Sequence, residues 1–327
     1  MALDWQQVKG CLMQNAVIDA VVIGRNEGVR LGACLQSLQG RVRHLVYVDS
    51  GSTDGSVKAA RVLGAEVVEL DMRLGFTAAR ARNAGLAVLD APEFVQFVDG
   101  DCEVQSGWLD AALVGFAEHP AAVVVCGRRR ERYPDASIYN RLTDLEWDTP
   151  VGQARACGGD ALMRFAAVQA AGGYDASLIA GEEPELCLRL ARGGGEVWRI
   201  EAEMTLHDAN LLRFGPWWRR MVRAGHAFAE GAVRYGATPE RHWVVEVRRA
   251  VLWGIALPLA VILAGLLHPL GWLLALVYPV QVLRLARRGG FAWGFFTVMG
   301  KFAEARGVLS YWVNRVRGRR RGLIEYK

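Results

Sequence analysis

The chain lacks the cysteine spacing that zinc sites and disulfide frameworks use. Its six cysteines are scattered over 327 residues, with no Cys-x-x-Cys pair and no histidine at zinc-ligand spacing. They are Cys11, Cys34, Cys102, Cys126, Cys157 and Cys187. We therefore expect small core side chains in a reducing compartment, and no metal cluster or cross-linked scaffold built on cysteine.

Two further signals are missing near the amino terminus. Residues 1–10 include Asp4, Trp5 and Gln6, whereas a secretory leader needs a basic start and an apolar centre. We expect this part of the chain to stay in the cytoplasm. The first apolar run ends in Gly24-Arg25-Asn26-Glu27-Gly28, without the Gly-x-Gly-x-x-Gly turn of a dinucleotide site, which argues against a nicotinamide dehydrogenase.

Positive charge is concentrated at the carboxyl-terminal end. The formal net charge is +5, and residues 314–321 hold five arginines and no acid. Clusters of this kind bind nucleic acid or anionic lipid. Because this one follows an apolar region, we favour a membrane surface as the partner and expect no nucleic acid.

The amino-terminal part alternates between strand and helix patterns. Apolar runs of strand length alternate with segments of helical spacing, at residues 16–23, 31–38, 44–48, 56–63, 66–70, 77–89 and 93–98. This alternation predicts an α/β fold with a doubly wound, mostly parallel sheet. Residues 128–159 are polar, aromatic and irregular, and are followed by helices at 164–171 and 183–192 and a strand at 196–200.

The carboxyl-terminal part contains two uncharged runs, 250–267 and 270–283, separated by His268-Pro269. Each is near the lower limit of ~17–25 residues for a spanning helix, and the proline predicts a helical hairpin over 250–285. Arginines flank both outer ends and not the turn, so we expect the outer flanks in the cytoplasm. The alternative is a buried hairpin of a soluble protein.

Residues 291–316 mix aromatic side chains with lysine and arginine. This pattern is typical of an interfacial amphipathic helix, and also of a helix packed on the rest of the chain. A basic tail reaches residue 327.

Two carboxylates end the fourth apolar run, in Asp99-Gly100-Asp101. Open α/β sheets bind ligands at the carboxyl ends of their strands, where the loops after the earlier strands also converge. Paired carboxylates suit Mg2+ or Mn2+, which keep few protein ligands and share substrate phosphates. The alternative is an ordinary turn of solvated acids.

Five short motifs occur in one order along residues 16–231. They are Ile23-Gly24-Arg25-Asn26-Glu27, Val48-Asp49-Ser50-Gly51-Ser52-Thr53-Asp54-Gly55, Ala81-Arg82-Asn83-Ala84-Gly85, Asp99-Gly100-Asp101 and Gly181-Glu182-Glu183-Pro184-Glu185-Leu186. In these motifs the chain resembles the family 2 glycosyltransferases of the GT-A fold. The resemblance implies a catalytic domain over 1–236, with a nucleotide-sugar half at about 16–127 and an acceptor half at about 128–236. Residues 237–327 would form a membrane-associated helical region.

The resemblance also implies roles for residues at the rim of the sheet. Asp49 would accept the imide N–H of a uracil, and Glu27 would lie near the base and ribose. Arg82 would reach the diphosphate or ribose, Asn83 would shape its loop, and Asp99 would face the ribose and sugar. The family often has a second acid after Asp49, where this chain has Ser50, so guanosine and thymidine remain alternatives to uridine.

The Gly-Glu-Glu element resembles the one that supplies the family's catalytic base. Glu183 occupies that position and Glu182 is the second choice, since an inverting transfer needs a carboxylate to deprotonate the acceptor. Acids in the first turn of a helix are also favoured by its dipole alone. The resemblance also implies that Asp101 is a ligand of the metal. We expect His207 to be a second ligand, and the alternative for this histidine is a purely structural role.

An aromatic and arginine-rich segment at 213–223 resembles the family's acceptor element. It places Trp217, Trp218, Arg219 and Arg220 near the acceptor or the leaving diphosphate. A basic amphipathic helix lying on lipid is an equal alternative.

Together these features predict a metal-dependent, inverting glycosyltransferase at the cytoplasmic face of the inner membrane. It would move a sugar from a nucleotide diphosphate, with UDP favoured, to a lipid, lipid-linked or polysaccharide acceptor. The alternative from another class is a non-catalytic, sugar-nucleotide-binding component of an envelope-assembly complex.

Overall fold

The computed structural model describes residues 16–318. Some of the predictions above concern residues that lie outside the described part of the chain. These are residues 1–10, Cys11 and the carboxyl-terminal residues 319–327. The strands of the described part are β1 (Ile18–Gly24), β2 (His44–Asp49), β3 (Glu66–Glu69), β4 (Phe94–Asp99), β5 (Cys102–Val104), β6 (Ala122–Glu131), β7 (Gly152–Ala154), β8 (Ala161–Arg164) and β9 (Glu196–His207). Its helices are α1 (Val29–Leu38), α2 (Ser56–Val62), α3 (Ala78–Leu86), α4 (Trp108–Glu118), α5 (Ile138–Glu146), α6 (Phe165–Ala170), α7 (Glu182–Arg192), α8 (Phe214–Tyr235), α9 (Val244–Val251), α10 (Leu257–Leu267) and α11 (Val277–Val316).

The strands form a single mixed sheet in the order β3-β2-β1-β4-β8-β6-β9-β5, and β7 pairs with β9. The first four strands of the chain pair in parallel, and so do β6 and β9. β8 runs antiparallel to β4 and β6, while β5 and β7 run antiparallel to β9. The predicted α/β fold is confirmed, with a parallel amino-terminal half and antiparallel pairs beyond it.

The centre of the sheet is buried because β1 and β4 are mostly apolar on both faces, as buried parallel strands are; Asp19 and Gln96 are their buried polar exceptions. Ala20, Val21 and Val22 of β1 are fully buried. Helix α3 approaches this strand so closely that a Cβ on Gly85 would overlap the side chain of Val21. This glycine therefore lets α3 lie against the sheet and carry Arg82, one turn earlier, toward the rim.

Two segments differ from the sequence prediction. Residues 128–159, predicted to be irregular, contain the end of β6, helix α5 and strand β7. The strand predicted at 196–200 continues to His207 because its second half alternates exposed and buried residues, and the acids Glu201 and Glu203 occupy the exposed positions. The five described cysteines are buried free thiols, as expected.

The described residues divide into two compact units. The first comprises residues 16–132, 146–178 and 182–209, which form the sheet and the helices beside it. The second comprises residues 133–145, 179–181 and 210–318 and is helical. In the second unit α8 and α11 pack backbone to backbone, because Gly225 and Gly307 leave no Cβ between them. The predicted division after residue 236 stays a prediction.

Two helical stretches, Val244–Leu267 and Pro269–Val316, are long and apolar enough to cross a membrane, with mean hydropathies of 2.5 and 1.4 in their most apolar windows. They meet at the predicted His268-Pro269 break, and the second is interrupted again at Gly289 and Gly290. Only 11% and 6% of those windows are buried. Much of the hairpin surface is therefore apolar and uncovered within the described residues.

Candidate active site

The loops after β1, β2 and β4 meet at one edge of the sheet. Strand register places Asp49 opposite Gly24 and Asp99 opposite Ile23, on either side of the end of β1. A Cβ on Gly100 would lie 3.1 Å from the carbonyl oxygen of Ile23, so this turn follows β1 closely. The backbone therefore brings the loops that carry Asp49 and Asp99 to the same edge of the sheet, as predicted.

Asp49 organises the loop that follows β2. Its Oδ2 accepts hydrogen bonds from the backbone N–H groups of Gly51 and Ser52 at 2.9 and 2.8 Å, and its Oδ1 accepts one from the Tyr47 hydroxyl at 2.9 Å. The carboxylate is almost fully buried. A carboxylate has about four acceptor sites, so Asp49 keeps room for one further donor.

The loop after β1 is held against the loop after β2. Asn26 accepts a hydrogen bond from the backbone of Thr53 at 2.7 Å, and its own N–H donates to Ser52 at 2.9 Å. The predicted ribose-side residue, Glu27, lies in this loop with Oε2 2.7 Å from a guanidinium nitrogen of Arg30. The two loops therefore form one preorganised rim.

A buried guanidinium joins the acids of two other motifs. Arg82 lies 2.9 Å from Asp99 Oδ1, 3.0 Å from Glu182 Oε1 and 3.0 Å from Glu183 Oε1. Burial lowers the pKa of Arg82, but the carboxylates of Glu183, Asp99 and Glu182 raise it more, well above its ordinary value. In this structure Arg82 donates to carboxylates, and its predicted contact with a diphosphate stays a prediction.

The same cluster tunes Glu183. Burial and the neighbouring Glu182 carboxylate raise the pKa of Glu183 to about 7, against the lowering effect of Arg82. The Glu183 side chain is 16% exposed and that of Glu182 only 4%. Glu183 is therefore the more accessible acid, with a pKa suited to taking a proton near neutral pH.

Asn83 fixes the loop that faces this cluster. Its side-chain amide donates to the carbonyl of Tyr174 at 2.7 Å, and its Oδ1 accepts the N–H of Tyr174 at 2.8 Å. Both ends of the amide are used on the protein backbone. These bonds suit the predicted role of shaping a loop, and a contact of Asn83 with the nucleotide sugar stays a prediction.

A second cluster joins β5 to β9. Register pairs Cys102 with His207, and His207 Nε2 lies 3.1 Å from Asp101 Oδ2, with both side chains buried. Neither ring nitrogen of His207 has a hydrogen-bond partner among the described residues. Burial and the charge of Arg129 lower the pKa of His207 to about 4, so the ring is neutral at pH 7 and keeps a lone pair.

This cluster fits a divalent cation. A carboxylate and a neutral imidazole within reach of each other are ligands that Mn2+ accepts, while Mg2+ prefers the oxygen donor. The Cys102 thiol lies in the same group, but burial raises its pKa well above the ordinary value and keeps it protonated. Asp101 and His207 would therefore hold the ion.

Three residues of this region escaped the sequence prediction. Buried Asp160 accepts the backbone N–H of Asp99 at 3.1 Å and lies 3.1 Å from Arg129 Nε. Arg129 lies over the ring of Trp147, which stacks on His207 with centroids 4.7 Å apart. Arg129 and Trp147 belong to the stretch predicted to be irregular, where adjacent arginines hide the strand pattern, and Asp160 follows directly after it.

The predicted acceptor residues lie in the second unit, on α8. Trp217 is buried, stacked near Tyr139 and edge-on to Phe296, so it packs the helices and offers no free face to a sugar. Trp218 is half-buried and Arg219 is exposed. Arg220 is half-buried on the same helix.

Residues 19–169 match the family model described as glycosyl transferase family 2. This part of the chain is therefore similar to the family 2 glycosyltransferases. The matched range includes the rim loops, Arg82 and the Asp99-Gly100-Asp101 turn.

Individual relatives of the chain are also named glycosyltransferases. The chain is 28% identical over 233 residues to the pre-mycofactocin glycosyltransferase of Mycobacterium tuberculosis, a match that covers 67% of this chain and 48% of the relative. It is 31% identical over 102 residues to an uncharacterized glycosyltransferase of Rickettsia felis, covering 31% of this chain and 35% of that one. The chain thus spans about half or less of the length of these curated relatives.

A solved structure shows the same fold. The mannosyltransferase PcManGT of Pyrobaculum calidifontis, in complex with GDP-Man and Mn2+, matches with a TM-score of 0.63 and 20% identity over 94% of both chains. This likeness shows that the chain has the GT-A fold.

Proposed function

We propose that this protein is an inverting, metal-dependent glycosyltransferase that moves a sugar from a nucleotide diphosphate to a hydroxyl of a lipid, lipid-linked or polysaccharide acceptor. The observation that carries the proposal is Glu183, an accessible carboxyl group with a pKa near 7 held beside Asp99 by Arg82. A protein that only bound a sugar nucleotide would have no use for such a base.

The residues divide the reaction between them. Glu183 takes the proton of the acceptor hydroxyl as its oxygen forms a bond to the anomeric carbon. The bond from that carbon to the diphosphate oxygen breaks, and its electron pair leaves with the diphosphate. One direct displacement inverts the anomeric centre. A cation held by Asp101 and His207 would neutralise charge on the leaving diphosphate.

The donor is a nucleotide sugar, with UDP favoured. The free acceptor site on Asp49 suits the imide N–H of uracil, but guanine also presents an imide-like N–H. The Pyrobaculum mannosyltransferase was solved in complex with GDP-Man, so GDP sugars are tested as donors together with UDP sugars. Buried Ser50, in place of a second acid, is a further reason to test both.

The acceptor and the site of action follow from the hairpin. An enzyme whose apolar helices enter the bilayer meets lipid acceptors at the interface. Arginines on the outer flanks of the hairpin support a catalytic domain on the cytoplasmic face of the inner membrane.

One assay tests this function. The purified full chain is incubated with UDP and GDP sugars, Mn2+ or Mg2+ and a membrane lipid extract, and nucleotide diphosphate release is measured with and without lipid. We expect lipid-stimulated release with one donor and a product of inverted anomeric configuration. No release with any donor, despite donor binding, would favour the non-catalytic binding component; retained configuration would exclude direct displacement.

A further inference from the structure

The second unit contains a pocket that includes two of the predicted acceptor residues, Trp218 and Arg219, and to which the reaction steps above give no role. It measures about 500 Å3 and is lined by Phe214, Gly215, Trp218, Arg219 and Arg306. The first four lie in the opening turns of α8, and Arg306 comes from α11. Because Arg219 and Arg306 are far apart in the sequence and lie on different helices, the sequence alone does not predict that they line the same pocket.

Charge in the pocket has one sign. Arg219 and Arg306 are both exposed, and neither forms an ion pair or hydrogen bond with a carboxylate among the described residues. Buried arginines of the first unit behave differently, since Arg82 lies against three carboxylates. Two guanidinium groups that line one pocket without a counter-charge favour an anion, and guanidinium geometry suits phosphate.

The pocket wall and its surroundings are apolar. The rings of Phe214 and Trp218 lie 5.6 Å apart, and Phe214 is 46% exposed. On α11 the positions that follow Arg306 at helical spacing are also apolar and exposed: Leu309, Val313 and Val316 are 50%, 45% and 85% exposed. The anion site therefore continues into an apolar strip, which a free phosphate ion would not require.

We propose that this pocket binds the phosphate headgroup of an anionic membrane lipid, with Arg219 and Arg306 on the phosphate and the acyl chain along Leu309, Val313 and Val316. The choice of a lipid rests on the proposed action at a membrane. Such a site would fix the depth and orientation of α8 and α11 at the interface.

Native mass spectrometry of the delipidated full chain in detergent tests the site. Phosphatidylglycerol is titrated against wild type, against Arg219→Gln/Arg306→Gln, and against a control, Arg287→Gln/Arg288→Gln. The control removes the same charge from two exposed arginines of the same unit. We expect the first phosphatidylglycerol to bind about tenfold more weakly to the pocket variant and within about twofold of wild type to the control.

Further arms separate the alternatives. Arg219→Lys/Arg306→Lys should recover part of the affinity, which a misfolded pocket would not. Equal binding of phosphatidylcholine, equal loss in the control variant, or displacement by inorganic phosphate at the lipid's own concentration would each overturn the proposal. Nucleotide diphosphate release with the donor sugar and the membrane lipid extract, measured on the same samples, reports the proposed function separately: its absence alongside intact phosphatidylglycerol binding would count against the enzyme and not the lipid site.

Discussion

At the scale of single residues, the one positive charge of Arg82 is surrounded by three carboxyl groups and can neutralise only one negative charge. Asp99, Glu182 and Glu183 all reach its guanidinium. Because the cluster is buried, full ionisation of all three acids is costly, and the proton is retained most readily on Glu183, the acid whose pKa rises to about 7. The arrangement thus produces a carboxyl group that is half-ionised near neutrality, as the proposed base requires.

Replacing Glu183 with glutamine tests the base directly. Glu183→Gln keeps the side-chain size and an oxygen that accepts from Arg82, so donor and metal binding should survive. Transfer should fall by roughly 10²–10⁴-fold, the usual contribution of a positioned acid–base group. Initial rates and donor affinity are measured together. The matched change Glu182→Gln should do less harm; if it alone were inactive, the base would be one residue upstream.

The pH dependence of transfer follows from the same pKa. Only the ionised carboxylate accepts a proton, so the rate should be level above pH about 7 and fall as the pH decreases through that value. The fall should approach tenfold per pH unit on the acidic side. Initial rates between pH 5.5 and 9 at saturating metal measure this limb. The residual rate of Glu183→Gln should lack it, and an unchanged limb in that variant would assign the titration to another group.

At the scale of elements, the parallel half of the sheet was predictable and the antiparallel half was only partly so. Strands such as β1 and β4 are continuous apolar runs because both faces are covered, and each is followed by a polar loop. The second half of β9 alternates acids with buried residues, a weaker signal over a short window. Asp160 could not be found from sequence, since its partners Asp99, Thr205 and Arg129 are each at least 31 residues away.

The pairing of β5 with β9 creates the candidate metal centre, so its test belongs at this scale. Asp101→Asn should weaken Mn2+ binding by at least about tenfold, since even outer partners of a metal contribute 10–100-fold. Cys102→Ala is the matched control on the same strand pair, because a protonated thiol is a poor ligand. Mn2+ binding is measured by titration calorimetry without substrate. If the cysteine variant lost Mn2+ as fully as the aspartate variant, the thiol would have to be a ligand.

Helix α8 shows how far the orientation of aromatic residues is hidden in the sequence, while their predicted role at the acceptor stays a prediction. Trp217 and Trp218 are adjacent, and both were expected at an acceptor. Neighbouring positions on a helix point about 100° apart, so Trp217 is buried against Tyr139 and Phe296 while Trp218 reaches a pocket. The chemistry of a side chain is readable from its type, but its orientation depends on the partner helix.

At the scale of the whole molecule, the sheet unit and the helical unit carry different kinds of surface. The first buries its large apolar side chains in one continuous core. The second leaves apolar residues of the hairpin uncovered, with Leu266 and Leu267 74% and 87% exposed. A surface of this kind is stable in water only when something apolar covers it, which is the physical argument for the membrane.

Charges placed on the hairpin test whether it anchors the chain. Leu259 and Leu263 are 53% and 60% exposed on α10, so Leu259→Asp/Leu263→Asp should leave internal packing unchanged. Each charge near the middle of a membrane helix costs about 2.5–3.5 kcal/mol, so the variant should leave the membrane fraction for the soluble one. Val62→Asp/Leu74→Asp, on exposed positions of the first unit, is the control and should stay with the membrane. Flotation of cell membranes after a high-salt wash measures the distribution. A hairpin variant that still floated with the membranes would show that the hairpin is not the sole anchor, and would transfer that role to α8 and its arginines.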